Sequence, residues 1–134
     1  MLPRRDLDFL LYELLGVEQL AERPRFAGQG REVYDAVLDM AQGIAEEHYA
    51  PNRKANDQQE PEVRDGVVVL QPGVKPAWDA TAESGMIAST HDESRGGMQL
   101  PHVIASAAIA HLEAGNIGTA SYPMLTAGAS NLIA

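Results

Sequence analysis

Histidines are the first candidates for chemistry in this sequence, because a neutral imidazole is a common metal ligand. The chain has four. His102 and His111 fall on one predicted helix, which at about 100° per residue sets them about 180° apart, so they cannot share an ion. His48 and His91 have no partner at ligand spacing. Packing and surface roles are expected for all of them, and no metal site. Asp57, Glu60, Glu62 and Asp65 form an acidic stretch, but Pro61 and Val63 interrupt the alternating ligands and glycine turn that a calcium loop needs. They read as a solvated loop. "RGGMQLPH" places two glycines before a helix start, where backbone N–H groups could gather an anion. Neither GxGxxG nor GxxxxGK is present, so the stretch reads as a tight turn in which Gly96 or Gly97 takes a positive φ. Ser84, Ser89, Ser94, Ser106, Ser121 and Ser130 include no GxSxG nucleophile. Glu113 is a lone carboxylate among apolar residues. Burial would raise its pKa, but a helix-end Glu on an exposed face is the ordinary reading. No catalytic residue is assigned.

The elements that would position these residues read as all-α, a bundle of five to six helices with one short extended excursion. Asp6 to Leu15 has a broad apolar face and stops at Gly16. "VEQLAERPRF" gives a short helix ending before Pro24. The strongest helix spans 31–50, where Val33, Val37, Met40, Ile44 and His48 form one stripe expected to face the core. Pro51 ends it, and Gly43 inside it is expected to allow close approach of a neighbouring helix. "NRKANDQQEPEVRDG" reads as a long polar connection, and "DGVVVLQPG" as a tiny hairpin or extended connector. "VKPAWDATAES" is a helix with Pro76 in its first turn and Gly85 as its cap. Pro101 opens the Ala-rich helix "PHVIASAAIAHLEAG", "GNIG" turns, and "TASYPMLTAGASNLIA" is a last helix bent or begun at Pro123.

The 134 residues suit one domain. Without cysteine there are no disulfides, and a reducing cytoplasm is the simplest location. The net charge of −9 disfavours nucleic acid as a partner. Glu113 is the single charged side chain of residues 101–134, so that quarter is expected to be buried. Its Asn, Ser, Pro and Gly content argues against a membrane span, and the interrupted apolar run at the N-terminus against a signal peptide. With seven aromatics and many alanines, the core is expected to be marginal and to need a partner surface.

Taken in order, "FLLYELLGVEQLAERPRF", "REVYDAVLDMAQGIAEEHYAP", "DQQEPEVRDGVVVLQPGVKPAW", "DESRGGMQLPHV" and "AGNIGTASYPMLTAGASNL" resemble the N-terminal helical domain of acyl-CoA dehydrogenases. The bacterial, methylthiopropanoyl-CoA dehydrogenase-like subgroup is the most similar. The resemblance covers nearly the whole chain, with "GGMQLP" and "YPMLTAGASNL" its most specific pieces. It implies a parent flavoenzyme in which FAD takes a hydride from the acyl-CoA β-carbon while a glutamate removes an α-proton, giving a trans-2-enoyl-CoA. Electrons then pass to an electron-transfer flavoprotein. It implies that residues 1–134 are the first of three domains, without the middle β domain or the C-terminal helical domain that carries the base. The chain alone is expected to be inactive and to hold no FAD. The missing domains or another subunit are its implied partners, in an oligomer. By the same resemblance, Tyr122, Leu125, Thr126 and Gly128 border the acyl-chain cavity. The alternative is a stand-alone, non-catalytic helical interaction module of the same ancestry.

Overall fold

Local sequence sets where each helix of this computed structural model, which describes residues 2–134, begins and ends. Helix α1, Arg4–Asp8, runs on as a π-helical turn over Phe9–Leu14, burying Leu11 and Tyr12. Gly16 stops it in the left-handed region (φ 58°), which costs glycine little. Short 3₁₀ turns follow at Val17–Glu22 and Pro24–Phe26.

Helix α2, Arg31–Ile44, continues as a π-helical turn over Ala45–Tyr49. Its core stripe is Tyr34, Leu38, Ala41, Ala45 and Tyr49, one residue later than the expected row. Val33 is exposed, while Val37, Met40 and Ile44 pack only against the flank of the core. The cause is steric. Ala41 and Ala45 let a neighbouring backbone come close, and the two tyrosines fill the space at either end. Gly43 is not the point of approach, because a Cβ there would meet nothing within 4 Å. Gly115 is that point: a Cβ on it would lie 2.9 Å from Tyr49 Cβ and 3.2 Å from the Ala45 carbonyl oxygen.

Pro51 does not open a long coil. It sits in a 3₁₀ turn, Ala50–Asn52, that leads into α3, Arg53–Gln58. A proline in the first turn removes an N–H that has no helical partner there, so the first part of the expected polar connection is helix. Strands β1, Glu62–Arg64, and β2, Val67–Val69, form the expected tiny hairpin, with Glu62 opposite Val69. Asp65 (φ 51°) and Gly66 (φ 77°) make its two-residue turn. Helix α4, Val74–Glu83, has Pro76 in its first turn and ends at Gly85 (φ 79°), as its sequence indicates. The loop after it carries 3₁₀ turns at Met86–Ala88 and Glu93–Arg95, with Gly96 at φ 79°.

Helix α5, His102–Ile133, is the spine on which α2, α3 and α4 pack. Its break falls at Asn116 (φ −162°, ψ 96°), and the helix runs on through Pro123 without one. Asn116 Oδ1 accepts the Thr119 N–H at 3.2 Å, which caps the second segment. The expectation that the whole last quarter is buried holds only for the first segment. Ile104, Ala108, His111 and Leu112 are enclosed, whereas Leu125, Leu132 and Ile133 stand 68%, 88% and 86% exposed. Among the described residues no helix is long and apolar enough to cross a membrane.

Candidate functional site

The second segment of α5 collects all four expected acyl-facing residues on its outer side. At about 100° per residue, Tyr122, Leu125 and Thr126 fall within an arc of about 100°, and Gly128 lies about 60° beyond Leu125. All four are exposed. Gly128 has nothing within 4 Å of a Cβ, so its surface is open. Thr126 donates its hydroxyl to the Tyr122 carbonyl at 2.9 Å, which uses up its polar hydrogen. The face is therefore apolar and uncharged, suited to an alkyl chain or to another protein surface.

The inner side of the same segment is fixed to the bundle. Pro123 and Ala120 are buried, and with Ala127 they border a small apolar void of about 10 Å³ beside Thr81, Met86 and Leu112. The far end is tied to the loop before α5. Thr90 Oγ1 donates to Asn131 Oδ1 at 3.0 Å, Ser130 Oγ lies 3.4 Å from His91 Nε2, and Arg95 donates to the Ala134 carbonyl. Tyr122 also borders a cavity of about 140 Å³ between α3, the hairpin and α4, shared with Asn56, Leu70, Val74 and Thr119.

The other chemistry-bearing residues are not brought together. His111 is buried in the core with both ring nitrogens unpartnered, while His102 is exposed on the opposite side. Among the described residues no three His, Asp or Glu side chains converge on a metal-sized site. Glu113 is half-buried, and Asp57, Glu60, Glu62 and Asp65 are spread in solvent over α3 and the hairpin.

Sequence reasoning missed two groupings. Tyr12 donates to Asp35 Oδ1 at 2.7 Å, and Arg4 reaches the same oxygen at 2.8 Å, pinning α1 to α2. Burial alone would raise the Asp35 carboxyl, but the Tyr12 hydrogen bond with Arg4 and Arg31 outweighs it and holds the group below 3.8. The same burial and the bond to Asp35 push the Tyr12 phenol up. The second grouping is Asn56, Asn116 and Thr119 at the break in α5. Its signal was an Asn three residues before a Thr, in the GNIG turn just ahead of the last helix.

Two comparisons with known proteins bear on this surface. The family model for the acyl-CoA dehydrogenase N-terminal domain matches residues 31–134. A 3-methylmercaptopropionyl-CoA dehydrogenase of Ruegeria pomeroyi is 29% identical over 135 residues, an alignment covering 95% of this chain and 22% of that protein. The chain thus spans less than a quarter of the length of that curated relative.

Proposed function

Because this chain belongs to the acyl-CoA dehydrogenase N-terminal domain family, we propose that it serves as the helical wall of an acyl-CoA-oxidising flavoenzyme. In this reading Tyr122, Leu125, Thr126 and Gly128 line one side of the acyl-chain cavity. The parent enzyme oxidises an acyl-CoA to a trans-2-enoyl-CoA in the cytoplasm and passes electrons to an electron-transfer flavoprotein. The observation that carries the proposal is the contrast along α5, where a first segment packed on the bundle continues into an apolar outer face with nothing on it.

The part this chain plays is to bind and to exclude water. An alkyl chain laid along the outer face would bury apolar area worth about 25 cal/mol per Å². A dry wall also strengthens every electrostatic interaction at the reacting carbons. FAD supplies hydride acceptance when bound, but the outer face of α5 does not fit it. Residues 114–134 contain no cation to meet its diphosphate. In this reading flavin contact and the base that removes the α-proton belong to the middle and C-terminal domains of the parent, and the chain by itself is inactive.

The test has two parts. The purified chain should show no flavin absorbance and no acyl-CoA turnover; finding both would sink the division of labour. In the parent enzyme, Leu125→Glu should lower kcat/KM for acyl-CoA about tenfold or more, which is the scale of unpairing a buried charge. An unchanged kcat/KM would mean that this face does not line the acyl-chain cavity.

A further inference from the structure

Tyr122 belongs to two surfaces at once. It stands on the outer face of α5, and it borders the cavity of about 140 Å³ between α3, the hairpin and α4. Gly118 lines the same cavity one helical turn earlier. At about 100° per residue, Gly118, Tyr122 and Leu125 fall within an arc of about 60°. One stripe of the helix therefore runs from the outer face to the cavity. All three residues are exposed, so the stripe is open along its length.

The rest of the wall suits carbon rather than charge. Pro61 and Leu70 close it from the two ends of the hairpin, and Val74, only 7% exposed, backs it from the first turn of α4. Among the described residues no Asp, Glu, Lys or Arg lines it. Asn56 donates to Thr119 Oγ1 at 2.7 Å, so these two polar side chains on the wall serve each other. Asn56 Oδ1 has no partner, but it is sealed from solvent and cannot meet a ligand. Size limits the occupant as well. Pockets that enclose a whole small ligand are about 300–1,000 Å³, so a cavity of about 140 Å³ takes the end of a chain and not all of it. A Cβ on Gly118 would meet only Asn116 Oδ1, at 3.5 Å, an ordinary contact. The helix does not need a glycine there, and the missing side chain leaves the way between Tyr122 and the cavity clear.

We propose that this cavity receives the terminal carbons of the acyl chain and sets the chain length that the parent enzyme accepts. The inference rests on the reading of the outer face as an acyl wall. The acyl chain lies along the stripe with its methyl end past Tyr122 and its thioester toward Gly128. Each methylene that leaves water for the cavity raises kcat/KM about fourfold, until the end of the chain meets Val74. Gly118, Tyr122 and Leu70 are then the residues that set where the rise stops.

The test is the dependence of kcat/KM on acyl length in the parent enzyme, from butanoyl-CoA to dodecanoyl-CoA. Gly118→Leu fills the cavity from its exposed wall. It should move the peak to shorter chains and lower kcat/KM at the wild-type peak about tenfold or more, the scale of losing one or two methylenes from an apolar pocket. Leu70→Ala enlarges the cavity and should move the peak to longer chains. Both positions are exposed, so neither change disrupts a packed site. A peak that stays in place in both variants, or that moves in the reverse directions, would overturn the proposal. Leu125→Glu in the same series separates it from the acyl wall. If that change lowers kcat/KM at every length while the peak stays in place in both cavity variants, the wall stands and the cavity assignment falls. If it leaves kcat/KM unchanged, both fall.

Discussion

The two segments of α5 are built from similar, mostly apolar residues, with Glu113 their one charge, yet meet opposite surroundings. Before Asn116, small residues let α2 approach until Gly115 rests on Tyr49. After it, similar small residues line the inner side while Tyr122, Leu125, Leu132 and Ile133 face outward uncovered. The difference teaches that hydrophobic composition specifies that a segment is to be covered, not which surface covers it. Opposing shape decides that: α2 offers Ala41 and Ala45 to the first segment, and this chain offers nothing to the outer face of the second.

Substitutions can break or sharpen this contrast. The largest effect is expected from Leu112→Ala, which empties a fully buried site of the first segment. It should cost about 2–5 kcal/mol in urea unfolding. Leu132→Ala in the second segment should stay within about 0.5 kcal/mol. Equal losses would mean that the second segment is packed in solution. Gly115→Ala comes next, because its Cβ meets backbone and side chain below ordinary contact distance. It should destabilise by about 1–3 kcal/mol. Gly128→Ala has open space, and should stabilise by about 0.5–1 kcal/mol through helix propensity. That sign reversal within one helix is the sharpest form of the comparison.

A pH dependence should separate the segments as well. Burial is the main cause that lowers the His111 pKa below 6.5, with Arg4 adding to it and Glu46 and Asp39 opposing. The unfolded chain then binds the proton more readily than the folded one. The stability from neutral His111 is fully present above pH 6.5 and falls as pH drops from there toward the folded value. Thermal midpoints measured from about pH 7.5 to about pH 5.5 should decline, and His111→Leu should flatten that part of the profile. The smallest effect is expected for Thr126→Ala, which removes only a bond to the preceding turn and should change stability by a few tenths of a kcal/mol.

Much of the fold was legible in the sequence, because its stops are local. Gly16, Gly85, the Asp65-Gly66 turn and Pro76 each act through backbone geometry that the residue itself fixes. The residues expected to face an acyl chain came from resemblance, and their grouping on one face follows from helical spacing. What could not be read depends on two elements at once. The α2 stripe slid by one residue because Ala41 and Ala45 matter only beside Gly115. The break at Asn116 falls in the expected GNIG turn, but the expected bend at Pro123 is absent, because Pro123 is buried against the bundle and its helix carries it. The Asn56–Thr119–Asn116 cluster joins positions 63 residues apart, which no local pattern reports.

The anchoring of the second α5 segment has a mechanical consequence. Its 17 residues make a beam about 25 Å long at about 1.5 Å per residue. It is pinned at one end by the Asn116 cap and at the other by Thr90, His91 and Arg95. Between them the buried Ala120 and Pro123 rest on the bundle. A beam supported at both ends and along its inner side neither swings nor bows. The outer face therefore meets whatever lies on it as a fixed template, even where Pro123 removes one rung of the backbone ladder next to Tyr122.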